Sequence, residues 1–542
     1  MVKRTLTQLL IVTLLAGVWA LPETGLAQDA SSCVQNEQGD GCLPVAPESE
    51  RIDLAEPSFS DPTLITNPLF PISELTQVIQ LGVDAGESLR VEATLLPETK
   101  TIDWNGQPVE TLVSQYVAYL DGRIVEVAND FYAQADDGAV WYFGEDVFNY
   151  EDGVVANTDG TWLAGKDGPP GMIMPTDPQV GDVYRPENIP GFVFEEVTVK
   201  ATDQTVDGPQ GPVKGAIVIQ ELLMDGTLEE KSFAPGYGEF SAKTDTEDIT
   251  VALGVPFDAQ PGAAPAALET MSTGAADIFE AAPTENWNAI TATVATMTTA
   301  WETYRAGDMP PVLSTQMSDA LAALTEAADA QDPGDTRQAA VDLGRASLDL
   351  QLQHRSLTEV DLARLELWTQ QLLVDLDAND RSAASGDVAT LESVWARVAH
   401  TVDQPMVEQS DTELAGLRTA VDSGDLSAAT DTATRLRVLL NGGADGASAF
   451  SAQPAAMAED GRDENEPPVA PGRLDDGEEL LPQAEITLEQ AVSASQGAAS
   501  GPVGEVDLED YRGRLVFNVD VGTEDVKVDA TTGEVLGTES DD

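Results

Sequence analysis

"LVFNVDVGTEDVKVDATTGEVL", residues 515–536, alternates apolar and polar residues, breaks at an acidic turn, alternates again and then meets Thr532-Gly533. Leu515, Phe517, Val519 and Val521 share one face by the two-residue period of a strand. Val526 and Val528 continue the pattern after the turn, and Gly533 stands where a turn calls for positive φ. Upstream, "ITLEQAVSAS" (486–495) offers Thr487 as an N-cap with Gln490 at the third helical position. Its Ile486, Leu488, Ala491 and Val492 make an apolar face. "VGEVDLEDY" then turns at "YRGR" into "RLVFNVDV". One helix on a small antiparallel sheet is the expected fold of 483–542.

The order "ITLEQAV", "GPVGEVDLEDYRGRLVFNVDV" and "VDATTGEVL", over about 484–537, resembles a PepSY domain. PepSY domains accompany secreted peptidases in their propeptides and occur alone or in repeats in envelope proteins. The resemblance therefore implies protein binding, with inhibition or regulation of a secreted peptidase as its sharper form. It supplies no catalytic residue, and "DVGTEDVKV" is shorter than the corresponding strand-turn of many relatives. Residues 483–542 carry 3 basic and 14 acidic residues. A partner for this module needs a basic or neutral surface, and salt should weaken the association.

At 542 residues the chain is too long for one core. Lys3 and Arg4, the apolar run "LLIVTLLAGVWAL" (9–21) and small Gly25 and Ala27 predict a signal peptide over 1–27. The run is too short for a stable membrane span, and no later stretch reaches about 18 uninterrupted apolar residues. The mature protein is expected to be exported, periplasmic or extracellular. "LPETG" (21–25) matches a sortase signal but sits inside the export signal, and "DASSC" makes a poor lipobox. Cys33 and Cys42, the only cysteines, are expected to form a local disulfide in an oxidising compartment.

Lys+Arg number 27 against 95 Asp+Glu, a formal charge of −68. Phosphate backbones and anionic membranes are repelled, which excludes nucleic acid as a partner.

Residues 28–60 read as a polar, unpatterned leader. From 61 to 253 strand-like runs are punctuated by Asp-Gly at 121, 137, 152 and 159, the dipeptide of primed hairpin turns. An antiparallel β-sandwich or partly closed barrel is expected there. "VWYFGED" is bulky on both strand faces, with Val140 and Tyr142 on one and Trp141 and Phe143 on the other. Such a strand lies between packed layers, or one of its faces lines a ligand cavity. "NPLFPI", "FYAQADDGAVWYFGEDVFNYEDG", "GMIMPTDPQVGDVYRPE" and "FAPGYGEF" resemble an uncharacterised β-domain of exported bacterial proteins, which implies no known chemistry.

Residues 262–441 predict an all-α bundle of about six to eight helices, since Val388, Leu391, Trp395 and Val398 recur at helical spacing, as do Leu365, Trp368 and Leu372. Ser356 with Glu359 makes a capping box, and "SGD" at 385–387 and 423–425 reads as two helix starts at a repeat-like spacing. Residues 442–482 are Gly, Pro, Ala and acid, and predict a disordered linker. The expected fold is thus multidomain α+β: β-domain, helical bundle, and small C-terminal α+β module.

Catalytic patterns are sparse. HExxH, GxSxG, a P-loop and CxxC are all missing from the sequence, and a peptidase zymogen of this type calls for the first. His354 and His400, the only imidazoles, stand at predicted helix ends, where a cation complements the dipole. In "DLDANDRSAASGD" (375–387), Asp375, Asp377 and Asn379 have the alternate spacing of a calcium loop. Asp380 occupies the sixth position instead of Gly, and Gly386 the twelfth instead of Glu, so helix capping competes with calcium there. The expectation is a non-enzymatic protein without cofactor that binds a protein, with a lipid or glycan ligand in the aromatic β-domain as the alternative.

Overall fold

The computed structural model describes residues 33–39, 41–307 and 309–451. In the C-terminal part it describes 474–476, 484, 486, 491–492, 494–495, 498, 503–511, 514–521, 524–533 and 535–540. The expected signal peptide, and most of the expected linker, lie outside these residues. The chain divides into two compact units, Met1–Ala452 and Gln453–Asp542. Among the described residues no helix is long and apolar enough to cross a membrane.

The first unit is built on one antiparallel sheet. Its strands are β1 (Gln77–Asp84), β2 (Glu87–Trp104), β3 (Gln107–Leu120), β4 (Arg123–Gln134), β5 (Val140–Glu151), β6 (Val154–Asn157), β7 (Trp162–Leu163) and β8 (Gly171–Met174). β9 (Val183–Ile189), β10 (Val193–Gly208), β11 (Gly211–Leu223), β12 (Leu228–Ala234), β13 (Gly238–Lys243) and β14 (Glu247–Val255) complete it. The order is a meander, β6-β5-β4-β3-β2-β1-β14-β13-β12-β11-β10-β9, with β7 and β8 paired to β5. The sheet curls without closing: β8 approaches β9 so nearly that a Cβ on Gly171 would stand 1.8 Å from the Pro186 carbonyl oxygen. Of the Asp-Gly pairs at 121, 137, 152 and 159, two have both residues left-handed, Asp121-Gly122 (φ 45° and 75°) and Asp152-Gly153 (φ 50° and 74°).

The curl leaves an inner and an outer face. Eight helices follow: α1 (Ala266–Ala281), α2 (Trp287–Tyr304), α3 (Pro311–Ala330), α4 (Pro333–Gln351), α5 (Leu357–Asp377), α6 (Arg381–Val398), α7 (Gln404–Ser423) and α8 (Leu426–Ser451). They cover the outer face of β1–β4 and β14 and the end of β5. Ile79 and Leu253 share a core with α1 and α4, while Val117, Tyr119, Ile124 and Val127 share another with α5 and α6. Tyr119 stacks on Trp368 with ring centroids 5.7 Å apart. "VWYFGED" is buried on both faces without the helices: Tyr142 packs on Trp162 and Tyr132, Phe143 meets Phe59 of the leader, and Val140, Trp141, Tyr142 and Phe143 are all buried in a core made of strand and leader residues.

Details depart from the sequence expectation. α6 starts at Arg381, not at Ser385, because Asp380 already caps it by accepting from the Ala383 N–H. The second "SGD" does mark a start: Gly424 ends α7 at φ 75°, and Asp425 accepts from the Ala428 N–H. With one start displaced, the two segments are not copies of one unit. The Ser356–Glu359 capping box is present in full. α8 runs on to Ser451, past 441. Residues 33–57, unpatterned in sequence, dock on the sheet: Val34 and Leu43 pack on Phe194 and Leu222, and Ile52 N–H donates to Val183.

The hairpin tip at Gly153 presses on the start of α6. Ser385 Oγ donates to the Gly153 carbonyl at 2.8 Å, and a Cβ at Gly153 would lie 2.2 Å from the Ser382 oxygen and 2.4 Å from the Gly386 nitrogen. Both obstacles are backbone. Gly153→Ala is expected to destabilise this unit by about 2–3 kcal/mol, read by urea unfolding. A loss below about 0.5 kcal/mol would show that the tip is free to lift.

Candidate functional site

Two regions carry candidate functional groups, one in each unit. In the first, register aligns residues across the inner face: Leu95 opposite Ser114, Ser114 opposite Asp130, Asp130 opposite Glu145, and Glu145 opposite Trp162. A parallel row runs Val78, Ala93, Tyr116 and Ala128. Above these rows lies a cavity of about 130 Å³. Phe70, Ile72 and Leu75 roof it, and β1–β4 and β13 wall it with Val78, Gln80, Val91, Ala93, Leu95, Tyr116, Tyr132 and Glu239.

Tyr142 donates its hydroxyl to Asp130 at 3.1 Å and stacks on Tyr132 at 5.0 Å. Phe70 meets Tyr132 edge-on at 4.9 Å. Trp162 donates its indole N–H to Glu187 at 2.8 Å. Burial pushes the Asp130 carboxyl up to about 7 against the Tyr142 bond, and does the same to Glu187 against the Trp162 bond. Glu145 and Glu195 are raised well above the usual carboxylate range, by burial first and by neighbouring carboxylates next. Deeper along the same face, Lys231 lies 2.9 Å from Glu221, 3.4 Å from Glu229 and 3.5 Å from Glu239. Burial lowers its pKa, but these carboxylates outweigh that and hold it well above its ordinary value. Carboxyl groups that titrate near 7 beside a cavity are chemically active in two ways, as proton donors and acceptors or as anchors for a cation.

A second charged cluster lies outside the cavity, on the seam between the outer face and the helices. Arg90 bonds Asp349 at 2.7 and 2.8 Å and also Glu92; Arg364 bonds Asp349, Asp361 and Gln77; Arg397 bonds Glu92 and Gln115. Three cations meet three carboxylates, so the charge balances, and these groups join sheet to helices.

Residues singled out in the sequence are placed as follows. Cys33 and Cys42 are joined in a disulfide. His354 follows α4, where burial lowers its pKa, and His400 follows α6; they stand on separate connections between helices. Asp375, Asp377 and Asn379 do not converge on a cation position. Asp375 belongs to α5 and grips Arg123 at 2.6 and 3.0 Å, while Asp377 pairs with Arg337. No group of three or more His, Cys, Asp or Glu among the described residues is arranged to hold a metal ion. The Asp130 row and Lys231 went unread in the sequence.

In the second unit, the strands are β15 (Leu474–Asp476), β16 (Val503–Tyr511), β17 (Arg514–Val521), β18 (Glu524–Asp529) and β19 (Val535–Ser540), hydrogen-bonded in that order. Tyr511 pairs with Arg514, and Val521 with Glu524. Phe517, Val519, Val521, Val526 and Val528 make one buried face, with Leu515 beside them and Ala491 from the helical residues 491–492 and 494–495 against it. Gly533 has φ 72°. The Thr487 cap lies outside the described residues. β15, from the stretch expected to be a linker, adds a parallel strand to β16. Residues 485–539 match the family model described as "Peptidase propeptide and YPEB domain". The C-terminal module is a PepSY domain.

The match covers the helical turn and the four antiparallel-connected strands of this PepSY domain and does not extend to the larger unit. No curated protein matches the chain. Among the described residues the PepSY core is aliphatic apart from Phe517. Its visible chemistry is charge: Arg514 lies 3.3 Å from Asp529 on a module with 3 basic and 14 acidic residues.

Proposed function

We propose that this is an exported, non-enzymatic binding protein whose PepSY domain engages a protein partner, a secreted peptidase being the class that the family's description suggests. The observation that carries this reading is the match over 485–539. The acidic module supports it by favouring a basic or neutral partner surface, and the sequence supports it by lacking HExxH and a nucleophile elbow. The test compares the full chain with a chain ending at Ala452, each added to secreted peptidases. The full chain is expected to slow at least one peptidase, less so at 0.5 M salt, and the shorter chain not to. Equal effects of the two chains, or none, would remove the role from the PepSY domain.

The inner cavity favours a second reading, that the larger unit holds a small ligand. Its volume of about 130 Å³ is on the scale of an apolar cavity that takes a single benzene ring, and so suits a small molecule.

A further inference from the structure

We propose that the cavity inside the curled sheet binds a small organic ammonium ion, its cationic head against Asp130 and its apolar body against Leu75, Val78, Val91 and Leu95. The proposal rests on the second reading above, and it names the chemistry of the ligand.

Three observations converge. The walls are largely hydrocarbon, which calls for a ligand with an apolar body. The charged groups have one sign: among the described residues, the charged side chains lining the cavity are Asp130 and Glu239. Gln80 is already committed, donating its amide to the Glu239 carbonyl at 3.1 Å. Third, the aromatic rings lie beside the carboxylate. Tyr132 stacks on Tyr142 and is met by Phe70, and Tyr116 stands in the neighbouring register row. Ring faces and a carboxylate around one space are the setting that attracts an ammonium group.

The surroundings reinforce the sign. Asp130 faces Ser114 on β3 and Glu145 on β5, with Glu126 on its own strand and Glu187 from β9 acting on it. Lys231, from β12, is engaged by Glu221, Glu229 and Glu239. An anionic ligand would be repelled here. A bare divalent ion is poorly served, because it needs six or more oxygen ligands and the cavity walls are mostly carbon.

Because Asp130 titrates near 7, the ammonium competes with a proton. Affinity should climb as pH rises through that range, and binding should release protons. The hydroxyls of Tyr132 and Tyr142 remain neutral there, since both are held well above their ordinary values by burial and by Asp130.

The experiment titrates the full chain with benzylammonium, benzyl alcohol and benzoate by calorimetry at pH 6 and pH 8. Benzylammonium is expected to bind at least tenfold tighter than benzyl alcohol at pH 8, to lose about tenfold at pH 6, and to exceed benzoate throughout. Asp130→Asn should bring benzylammonium and benzyl alcohol to equal affinity, with circular dichroism confirming the fold; if that variant does not fold, the pH and ligand series on the native chain decide. Equal binding of the alcohol and the ammonium, or stronger binding of benzoate, overturns the cation assignment and leaves a ligand cavity standing. No binding by any of the three overturns both.

Discussion

An Arg364→Met variant is expected to lose about 3–5 kcal/mol of stability in the larger unit, a drop in Tm of roughly 5 °C. Arg364 is 3 % exposed and sits between Asp349 at 3.1 Å and Asp361 at 2.8 Å, with a third bond to Gln77 of β1. Asp349 keeps Arg90 when Arg364 is removed. Asp361 keeps only Arg397, 3.8 Å away. Asp361 is already the least compensated of the three carboxylates: burial raises it despite both arginines, whereas Glu92 is held well below the usual range and Asp349 is lowered. Most of the loss is therefore the cost of an isolated buried carboxylate, and not the worth of the pair. The double variant Arg364→Met/Asp361→Leu should recover more than half of it. Urea unfolding measures both, and a single-variant loss under about 1 kcal/mol would mean that water reaches the seam.

Lys231→Met should cost about 2–4 kcal/mol at pH 8 and clearly less at pH 5. Lys231 is the counter-charge for Glu221, which is 2 % exposed, and for Glu229 and Glu239. Without it Glu229, whose carboxyl burial already raises, faces Glu221 and Glu239, and protonating it in acid relieves part of the repulsion. The native chain should itself grow more stable on mild acidification. Asp130, Glu187 and Glu247 have folded pKa values near 7, all raised by burial, above the roughly 4 of an unfolded carboxyl. Between about pH 4.5 and 7 the unfolded chain has released protons that the folded chain retains, so stability falls as pH rises through that window. Glu92 and Asp349 act in the opposite sense only below about pH 4, because their values are depressed. A Tm at pH 5.5 a few degrees above that at pH 8 is the expected result; a Tm that rises across this window would contradict the buried carboxylates.

The sequence made the PepSY strands legible because their interior is aliphatic on one face only, so period two alone sorts Phe517, Val519 and Val521 inward. Hairpin tips such as Asp121-Gly122 were legible for a similar reason, since few residues accept a left-handed backbone. The Asp130 row was not legible. Its meaning depends on a register spanning β2 to β7, and in a chain with 95 acidic residues one inward carboxylate looks like any other. The same holds for Arg90 and Glu92, whose partners lie some 250 residues downstream, at Asp349 and beyond. Around Asp375 the local pattern was present, but arginines from distant segments, Arg123 and Arg337, had claimed the oxygens. At α6, two adjacent segments each offered a capping Asp, and the sequence pattern favoured the later one.

The outer face of β1–β4 and β14 is finished by helices and riveted through Arg90, Arg364 and Arg397. A gene trimmed between β14 and α1 would therefore release a half-shell with a greasy back and stranded ions. Cells given that fragment should find it in inclusion bodies, so the strand-rich half can be studied only with its helical jacket on.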